Sequence, residues 1–225
     1  MGRLRLDLHV HSRHSPDSSL SVEAIVTHAA ERGLDGFALT DHNTVAGHAE
    51  LAEWQARFPD LVLVPGVEVS TLEGHLLVYG VREVPPIRRP VAETVDWALA
   101  CSGVPVLAHP FRLSHGVGRA AAESSRVPAI ETVNGHNSPR ANRRAAAVVH
   151  ARQLGTTGGS DGHELGDLGR AFADFPENTR GLDGVLDALR AGKTTAGGST
   201  LDLAGRVRTE WRTIGLRLRR WLRPI

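Results

Sequence analysis

The strongest constraint on the fold is a short segment near the start of the chain, residues 4–8, in which every second residue is a leucine. This alternation predicts a β-strand. The strand runs into His9 and His11, and strand side chains two residues apart point to the same side. Two imidazoles that converge at a strand end can form half of a site for a divalent transition metal. The motif alone does not distinguish such a site from two polar loop residues.

Apolar segments that alternate with helical segments follow this first strand. We predict strands near residues 36–40, 61–65, 76–80, 104–108, 128–133, 155–160 and 193–196, with helices between most of them. Strand–helix alternation predicts a parallel sheet, and six or seven strands fit a closed or distorted barrel better than a short open sheet. The 225 residues approach the size of one α/β barrel domain. We therefore expect a barrel over residues 1–200 and a tail over residues 201–225.

Imidazoles and carboxylates cluster where the predicted strands end, which is where parallel α/β folds build their active sites. The nine candidate ligands are His9, His11, Asp17, His42, Glu68, His75, His109, Asp161 and His163. Mixed histidine and carboxylate ligands without thiols suit zinc, manganese or iron. Nine ligands exceed the needs of one tetrahedral ion, so we expect two or three ions. Clustered metals of this kind stabilise the attacking and leaving oxygens in phosphoryl transfer.

The order of these motifs resembles the PHP family, the polymerase and histidinol phosphatase domains. The matching segments are His9-x-His11, Asp17, Thr40-Asp41-His42, Gly66-x-Glu68, Gly74-His75-Leu76, Ala108-His109-Pro110 and Ser160-Asp161-x-His163. The resemblance implies a distorted (β/α)7 barrel, a trinuclear metal centre and phosphoesterase activity. In this family, relatives carry either Asp or His at the position of Asp17, and Pro16 alters the loop that bears it.

The resemblance also implies a ligand assignment. The first ion would be held by His9, His11, Glu68 and Asp161. Glu68 would bridge to a second ion completed by His75 and His109, and the third would be held by Asp17, His42 and His163. We expect the residues that act in catalysis to be His9, His11, Glu68, His109 and Asp161.

The implied chemistry is attack on a phosphate ester by a metal-activated water. The sequence has no nucleophile elbow, and Cys101 lies at a predicted helix end, so we expect no covalent intermediate. We favour a small phosphorylated metabolite or a nucleotide as substrate. The alternatives are a nuclease that acts on short oligonucleotides and an inactive interaction module. A metal-dependent amidohydrolase is disfavoured because the chain's only lysine, Lys193, lies past the last motif.

Several residues outside the ligand set are candidates for substrate contact. Arg112, His14 and Arg170 are our choices, and Arg140 is a further candidate for a phosphate-binding fork. Other residues are predicted to support the site. Asp41 would orient a ligand or cap the following helix, and Glu131 and Asn134 would be substrate-side or structural. Gly158 and Gly159 would let the backbone turn so that Asp161 faces the metals.

Residues 201–225 differ in charge from the rest of the chain. They carry seven arginines and two acidic residues, a net of +5 in a chain whose total is +1, which leaves −4 elsewhere. An apolar stripe recurs every three or four residues, at Leu203, Val207, Trp211, Ile214, Leu218 and Leu222, and arginines occupy most of the other side. Such a helix could cover the barrel's own flank or a partner subunit, lie on an anionic membrane, or bind nucleic acid, which we favour least.

The single cysteine, Cys101, suits a reducing compartment. We find no signal peptide ahead of the first strand and no apolar run of membrane-spanning length. We therefore expect a cytoplasmic protein, peripheral to a membrane if the tail binds one, and leave the oligomeric state open.

Overall fold

The computed structural model describes residues 3–221, with side chains described as far as residue 218. Within this range nine strands form one sheet in the order β7-β6-β5-β4-β3-β2-β1-β8-β9. The strands are β1 (Arg5–Val10), β2 (Gly36–Leu39), β3 (Val62–Ser70), β4 (His75–Tyr79), β5 (Val104–Leu107), β6 (Ala129–Asn134), β7 (Gly155–Gly159), β8 (Ala171–Asp174) and β9 (Thr195–Gly198). The sheet curls into a nearly closed barrel, which confirms the predicted distorted α/β barrel.

The expectation of an all-parallel sheet is wrong. Strands β1 to β3 are parallel and so are β5 to β7, but β4 runs antiparallel to both neighbours, and β8 and β9 are antiparallel as well. A tight hairpin joins β3 to β4, with Ser70 opposite His75. The reversal matters for the site, because it brings the first residue of β4 to the edge where β3 ends.

The barrel closes where the two ends of the sheet approach each other. The backbone N–H of His11 donates to the carbonyl of Gly162 at 3.0 Å, and the Gly162 N–H donates to the carbonyl of His9 at 3.1 Å. These bonds join the end of β1 to the turn after β7. Near the start of β7, the Thr156 hydroxyl accepts the Ala196 N–H of β9 at 2.8 Å.

Seven α-helices within residues 3–221 pack around the sheet. They are α1 (Val22–Glu31), α2 (His48–Arg57), α3 (Val91–Ala100), α4 (Gly118–Ser124), α5 (Pro139–Arg152), α6 (Gly181–Arg190) and α7 (Leu203–Trp221). Ser21 caps α1 by accepting the Ala24 N–H at 3.1 Å. Ser138 caps α5 in the same way, and Pro139 follows at the first helical turn, where its missing N–H costs nothing.

Helix α6 covers the barrel end opposite the ligands. Its Leu189 is fully buried with Leu6 and Val106 of the barrel strands. Burying a leucine side chain of this kind stabilises the fold by about 1.5–3 kcal/mol. The other end, where the parallel strands finish, is left for polar residues.

The two glycines of β7 do not form the predicted turn. Both lie within the strand, and a Cβ on Gly159 would come within 2.3 Å of the His9 Cβ, while one on Gly158 would meet the Phe172 carbonyl at 2.2 Å. Glycine is therefore required for close strand approach. The turn itself falls on Asp161, which adopts a positive φ of 57°.

Candidate metal centre

All nine predicted ligands converge at one end of the barrel. His9 ends the alternating part of β1 and His11 follows it, while Glu68 lies near the end of β3 and His75 opens β4. The other five are in loops that follow strands, and eight of the nine are buried, His42 being partly so. The ligands form three overlapping groups whose ligand atoms lie within 4.8 Å of one another: His9, His11, Glu68 and Asp161; His42, Glu68 and His75; and His11, Asp17, His42 and His163.

Glu68 is at the centre of the arrangement. Its Oε2 lies 3.2 Å from His9 Nε2 and 3.3 Å from His11 Nε2. Its Oε1 lies 2.8 Å from His75 Nδ1 and 2.9 Å from His109 Nε2. One carboxylate therefore faces two sets of imidazoles through different oxygens, which is the geometry of a bridging ligand.

The third group surrounds Asp17. Its Oδ2 lies 3.1 Å from His42 Nε2 and 3.5 Å from His163 Nε2. The other ring nitrogen of His42, Nδ1, is 3.1 Å from Glu68 Oε2. His42 thus belongs both to the group around Asp17 and to a group that contains Glu68. The sequence assignment placed it only with Asp17 and His163.

Several buried ligand atoms have no hydrogen-bond partner among the described residues. In the first group these atoms are His11 Nδ1 and three that lie close together, His9 Nε2, His11 Nε2 and Glu68 Oε2. Buried polar atoms are normally satisfied, because leaving one unpaired costs about 1–3 kcal/mol. Three unsatisfied atoms facing one point fit a divalent cation with nitrogen and oxygen ligands. The residues present therefore fit a metal ion.

Glu131, for which the sequence left substrate-side and structural roles open, orients two ligands. Its Oε1 lies 2.9 Å from His9 Nδ1, and its Oε2 accepts the backbone N–H of His109 at 2.8 Å. The Asn134 amide donates to the same Oε2 at 2.9 Å. A carboxylate on the far nitrogen of a ligating histidine fixes its tautomer and raises its basicity.

Asp7 and Asp41 hold the backbone around the ligands. Both carboxylate oxygens of Asp7 accept backbone N–H groups, from Ser160 at 2.8 Å and from Gly169 at 2.8 Å. Burial nevertheless raises the pKa of Asp7 to about 6. Asp41 accepts the N–H and hydroxyl of Ser12, at 2.6 and 2.7 Å, and does not cap α2.

The charges of the cluster shift the pKa values of the ligands in opposite directions. Burial, reinforced by the nearby His163, lowers the pKa of His11 to about 3. Burial together with Arg112 lowers the pKa of His109, also to about 3. Burial would lower the pKa of His9 too, but the carboxylates of Asp161, Glu68 and Glu131 raise it well above its usual value.

Two ligands have strained backbones. His109 has a φ of 27° and Asp161 a φ of 57°, both in the left-handed region that non-glycine residues rarely adopt. Each such residue costs of order 1–3 kcal/mol, and such strain tends to concentrate at functional sites. Asp161 is held there in part by Arg112, whose Nη2 donates to its Oδ2 at 2.5 Å.

Of the predicted substrate residues, the structure places only Arg112 at the cavity above the ligands, which has a volume of about 140 Å³. Its Nη2 also donates to Asn134 at 2.8 Å. His14 does not line this cavity; its Nε2 lies 3.2 Å from a Glu50 carboxylate oxygen on α2. Arg170 does not line it either, because it immediately precedes β8, whose edge pairs with β9.

The tail forms α7, and its polar side faces the cavity. Arg206, Thr209, Glu210, Thr213 and Arg217 all line it. Most of the apolar stripe points away from this cavity, with Leu203 69% exposed, Trp211 71% and Leu218 54%, while Leu203 and Val207 line the neighbouring groove beside Phe111. Within the described residues, the expectation that the stripe is buried against the barrel's own flank is therefore wrong, and its contact with a partner subunit stays a prediction. Leu222 and Arg223 lie outside the described residues, as do the side chains of Arg219 and Arg220.

No local sequence signal identified the cavity-lining residues of α7. Helical periodicity defines the stripe but does not say which side of the helix is buried. No helix within residues 3–221 is both long and apolar enough to cross a membrane.

Two family models match the chain. The PHP domain matches residues 7–83, and the PHP-associated model matches residues 139–194. Together they span more than half of the chain and include every ligand of the cluster except His109.

Curated relatives match over shorter segments. Over 86 residues the chain is 38% identical to a phosphoribosyl 1,2-cyclic phosphate 1,2-diphosphodiesterase from Eggerthella lenta, covering 36% of this chain and 32% of that protein. Over 71 residues it is 44% identical to the 5'-3' exoribonuclease Rnm of Escherichia coli, covering 31% of this chain and 24% of that protein. The match therefore spans a third or less of either relative.

The fold is shared with a crystal structure of a two-domain protein from Bacteroides vulgatus that contains a predicted PHP-like metal-dependent phosphoesterase. The TM-score is 0.72 at 21% identity, covering 94% of this chain and 70% of that chain.

Proposed function

This chain belongs to the PHP family of metal-dependent phosphoric ester hydrolases, and on that premise we propose that it hydrolyses the phosphate ester of a small metabolite or a nucleotide. The observation that carries this proposal is the convergence of the ligands around Glu68: eight of the nine form three overlapping groups, and the ninth, His109, lies 2.9 Å from Glu68 Oε1. The donor set supports two or three ions of zinc, manganese or iron. When bound, such ions supply positive charge at the phosphoryl oxygens and lower the pKa of the attacking water.

The protein's own residues orient and enclose the reaction. Glu131 fixes His9 so that Nε2 faces the cavity, and the Asp161 backbone carbonyl, 2.7 Å from His163 Nδ1, fixes His163 in the same way. Arg112 supplies a guanidinium at the cavity wall, where developing phosphoryl charge would be stabilised. Thr209 and Thr213 of α7 limit access of bulk water from above.

The size of the cavity favours a compact reacting group. At about 140 Å³ it suits a phosphoryl group rather than a whole nucleotide. A groove of about 640 Å³ adjoins it. The residues common to both are Arg112, His136, Arg206 and Glu210, and the groove is lined further by Phe111, Arg140, Arg144, Leu203 and Val207. This groove would take the organic part of the substrate, which supports an ester with an organic body that carries additional negative charge.

Hydrolysis of short oligonucleotides is the second candidate. Similarity to a protein named as an exoribonuclease favours it, and the arginines of the groove would suit a phosphodiester backbone. Both candidates use the same metal centre and differ in whether the phosphate carries one ester bond or two.

The decisive experiment is a substrate panel with the full-length protein loaded with Mn²⁺ or Zn²⁺. The panel contains p-nitrophenyl phosphate, nucleoside monophosphates, histidinol phosphate, a cyclic phosphodiester and short oligoribonucleotides. We expect phosphate release from small esters, complete loss with a chelator, and recovery on metal addition. Progressive shortening of oligoribonucleotides without release from small esters would favour the second candidate, and chelator-resistant turnover would contradict both.

Variants connect this activity to the cluster. His109→Ala should abolish turnover with little change in circular dichroism, because His109 lies at a strand end and not within the packed apolar layers. The matched control is His150→Ala, an exposed histidine on α5, which should retain wild-type activity.

A further inference from the structure

Arg217 of α7 reaches into the third ligand group. Its Nη2 contacts Asp17 Oδ2 and lies 3.4 Å from His42 Nε2. Asp17 is fully buried, and its Oδ2 also lies 3.1 Å from His42 Nε2 and 3.5 Å from His163 Nε2. The guanidinium therefore lies against a buried carboxylate that would otherwise be a metal ligand.

A guanidinium and a divalent ion compete for this position. Arginine remains protonated at all accessible pH values and cannot act as a ligand, so an ion bound by Asp17 and His42 would face a like charge at close range. When α7 is in place, the positive charge that balances Asp17 in the group formed by Asp17, His42 and His163 comes from Arg217.

Contacts other than Arg217 hold α7 over the site. The Leu201 N–H donates to the Gly135 carbonyl at 2.7 Å, and the Asp202 carboxylate caps the helix by accepting the Gly205 N–H at 2.7 Å. Arg212 pairs with Glu164 farther along the helix. Since these contacts already fix the helix, little additional ordering is needed to place Arg217.

We propose that Arg217 takes the place of a third metal ion, so that the working site consists of two ions and one guanidinium. The Arg217 side chain is 43% exposed and also lines the cavity, so part of its fork remains available to phosphoryl oxygens. A planar fork is well suited to bidentate binding of phosphate. This inference rests on the proposed phosphoesterase function and makes α7 part of the active site.

The test compares metal content and turnover in full-length proteins. Wild type, Arg217→Ala and the control Arg208→Ala, whose arginine is exposed and does not line the cavity, are equilibrated with Mn²⁺, desalted and analysed by mass spectrometry. We expect two ions in wild type and Arg208→Ala, and three in Arg217→Ala. With p-nitrophenyl phosphate, kcat of Arg217→Ala should fall on the order of a hundredfold, as when one transition-state donor is removed. Added guanidinium at millimolar concentration should restore part of it.

Three ions in wild type, or two ions with unchanged kcat in Arg217→Ala, would overturn the proposal. A rise in kcat with the third ion would overturn it as well, because Arg217 would then inhibit turnover by excluding that ion. If Arg217→Ala does not fold, Arg217→Lys serves instead, with two ions and reduced kcat expected. Metal-loaded protein that hydrolyses no ester of the panel in any variant would instead refute the proposed function.

The outward face of α7 carries a separate inference. Its apolar stripe is exposed on a helix within the basic segment of net charge +5, whereas residues 1–200 carry −4. Exposed apolar side chains with arginines on both sides are typical of helices that lie in the surface of an anionic membrane. We infer that this face binds anionic lipid, whose charge is complementary to the tail and not to the rest of the chain.

Vesicle sedimentation of the full-length protein tests this inference. Vesicles of phosphatidylglycerol and phosphatidylcholine should pellet the wild type at low salt and much less at high salt, and pure phosphatidylcholine vesicles should not. Leu218→Ser should weaken binding, whereas Leu72→Ser, a leucine that is 67% exposed against 54% for Leu218, should not. Absence of pelleting would overturn the inference, as would a dimer in solution that Leu218→Ser dissociates.

Discussion

Nδ1 of His9 lies 2.9 Å from Oε1 of Glu131, so the imidazole can donate its proton to that carboxylate and present Nε2 to the cavity. The residues come from β1 and β6, 122 positions apart in the chain. Their contact fixes both the orientation and the tautomer of a ligand. The same glutamate accepts the backbone N–H of His109 and so holds a second ligand.

Replacing Glu131 by Gln should therefore weaken metal binding without removing any ligand. An amide retains the shape but is a poorer acceptor for the His9 N–H, and loss of such a partner typically lowers metal affinity 10–100-fold. Competition with a fluorescent chelator measures the effect. Glu123→Gln, an exposed glutamate paired with Arg119 on α4, is the control and should bind metal as wild type does. Equal affinities for the two variants would show that Glu131 does not tune His9.

Glu68→Ala should lose more than one ion. Its two carboxylate oxygens lie within 3.3 Å of four imidazoles, those of His9, His11, His75 and His109. Removing both oxygens deprives two ligand groups of their shared member. Metal analysis of the desalted variant checks this, with Glu73→Ala, a glutamate of the β3–β4 turn, as the control. Full metal content in Glu68→Ala would show that Glu68 is not a bridging ligand.

Metal binding should release protons at pH 7. Burial would lower the pKa of His42, but Glu68 and Asp17 raise it. Burial would also lower the pKa of His163, but Asp17 and Asp161 raise it. The pKa of His9 is raised well above its usual value. In the metal-free protein these histidines are therefore protonated more readily than a free imidazole, and ligation requires the neutral imidazole. Apparent affinity should rise with pH through the raised pKa values.

Titration calorimetry in two buffers of different ionisation enthalpy counts the released protons. His11 and His109, with pKa values of about 3, are already neutral and should contribute none. An observed enthalpy independent of the buffer would contradict the expected release.

The position of the ligands could be predicted from sequence because strand ends are a local feature. The apolar runs before His42 and His109 locate two of those ends, and the barrel then brings them together. The direction of β4 was missed, although the four residues between Ser70 and His75 leave no room for a crossover helix and indicate a hairpin. β8, only four residues long and ending in Asp174, gives too weak a pattern.

Contacts between distant segments were beyond the reach of sequence reasoning. Arg217 meets Asp17 across 200 positions, and this contact depends on which side of α7 packs against the barrel. The helix buries Gly205 and Thr209, small residues that permit close approach, and exposes Leu203 and Leu218. An apolar stripe normally predicts the buried side, so the pattern pointed to the wrong face.

Arg112→Lys should weaken substrate binding although it keeps the charge. The guanidinium donates through Nη2 to Asp161 at 2.5 Å and to Asn134 at 2.8 Å, and through Nε to Asn137 at 3.2 Å. A lysine ammonium is a point charge that cannot span these acceptors and also offer a planar fork to phosphate. We expect KM for p-nitrophenyl phosphate to rise about tenfold, since one hydrogen bond to a charged group contributes roughly 1.5–3 kcal/mol. Arg143→Lys, on the exposed side of α5, is the control and should leave KM unchanged. A wild-type KM in Arg112→Lys would mean that this fork serves only to hold Asp161 in its strained conformation.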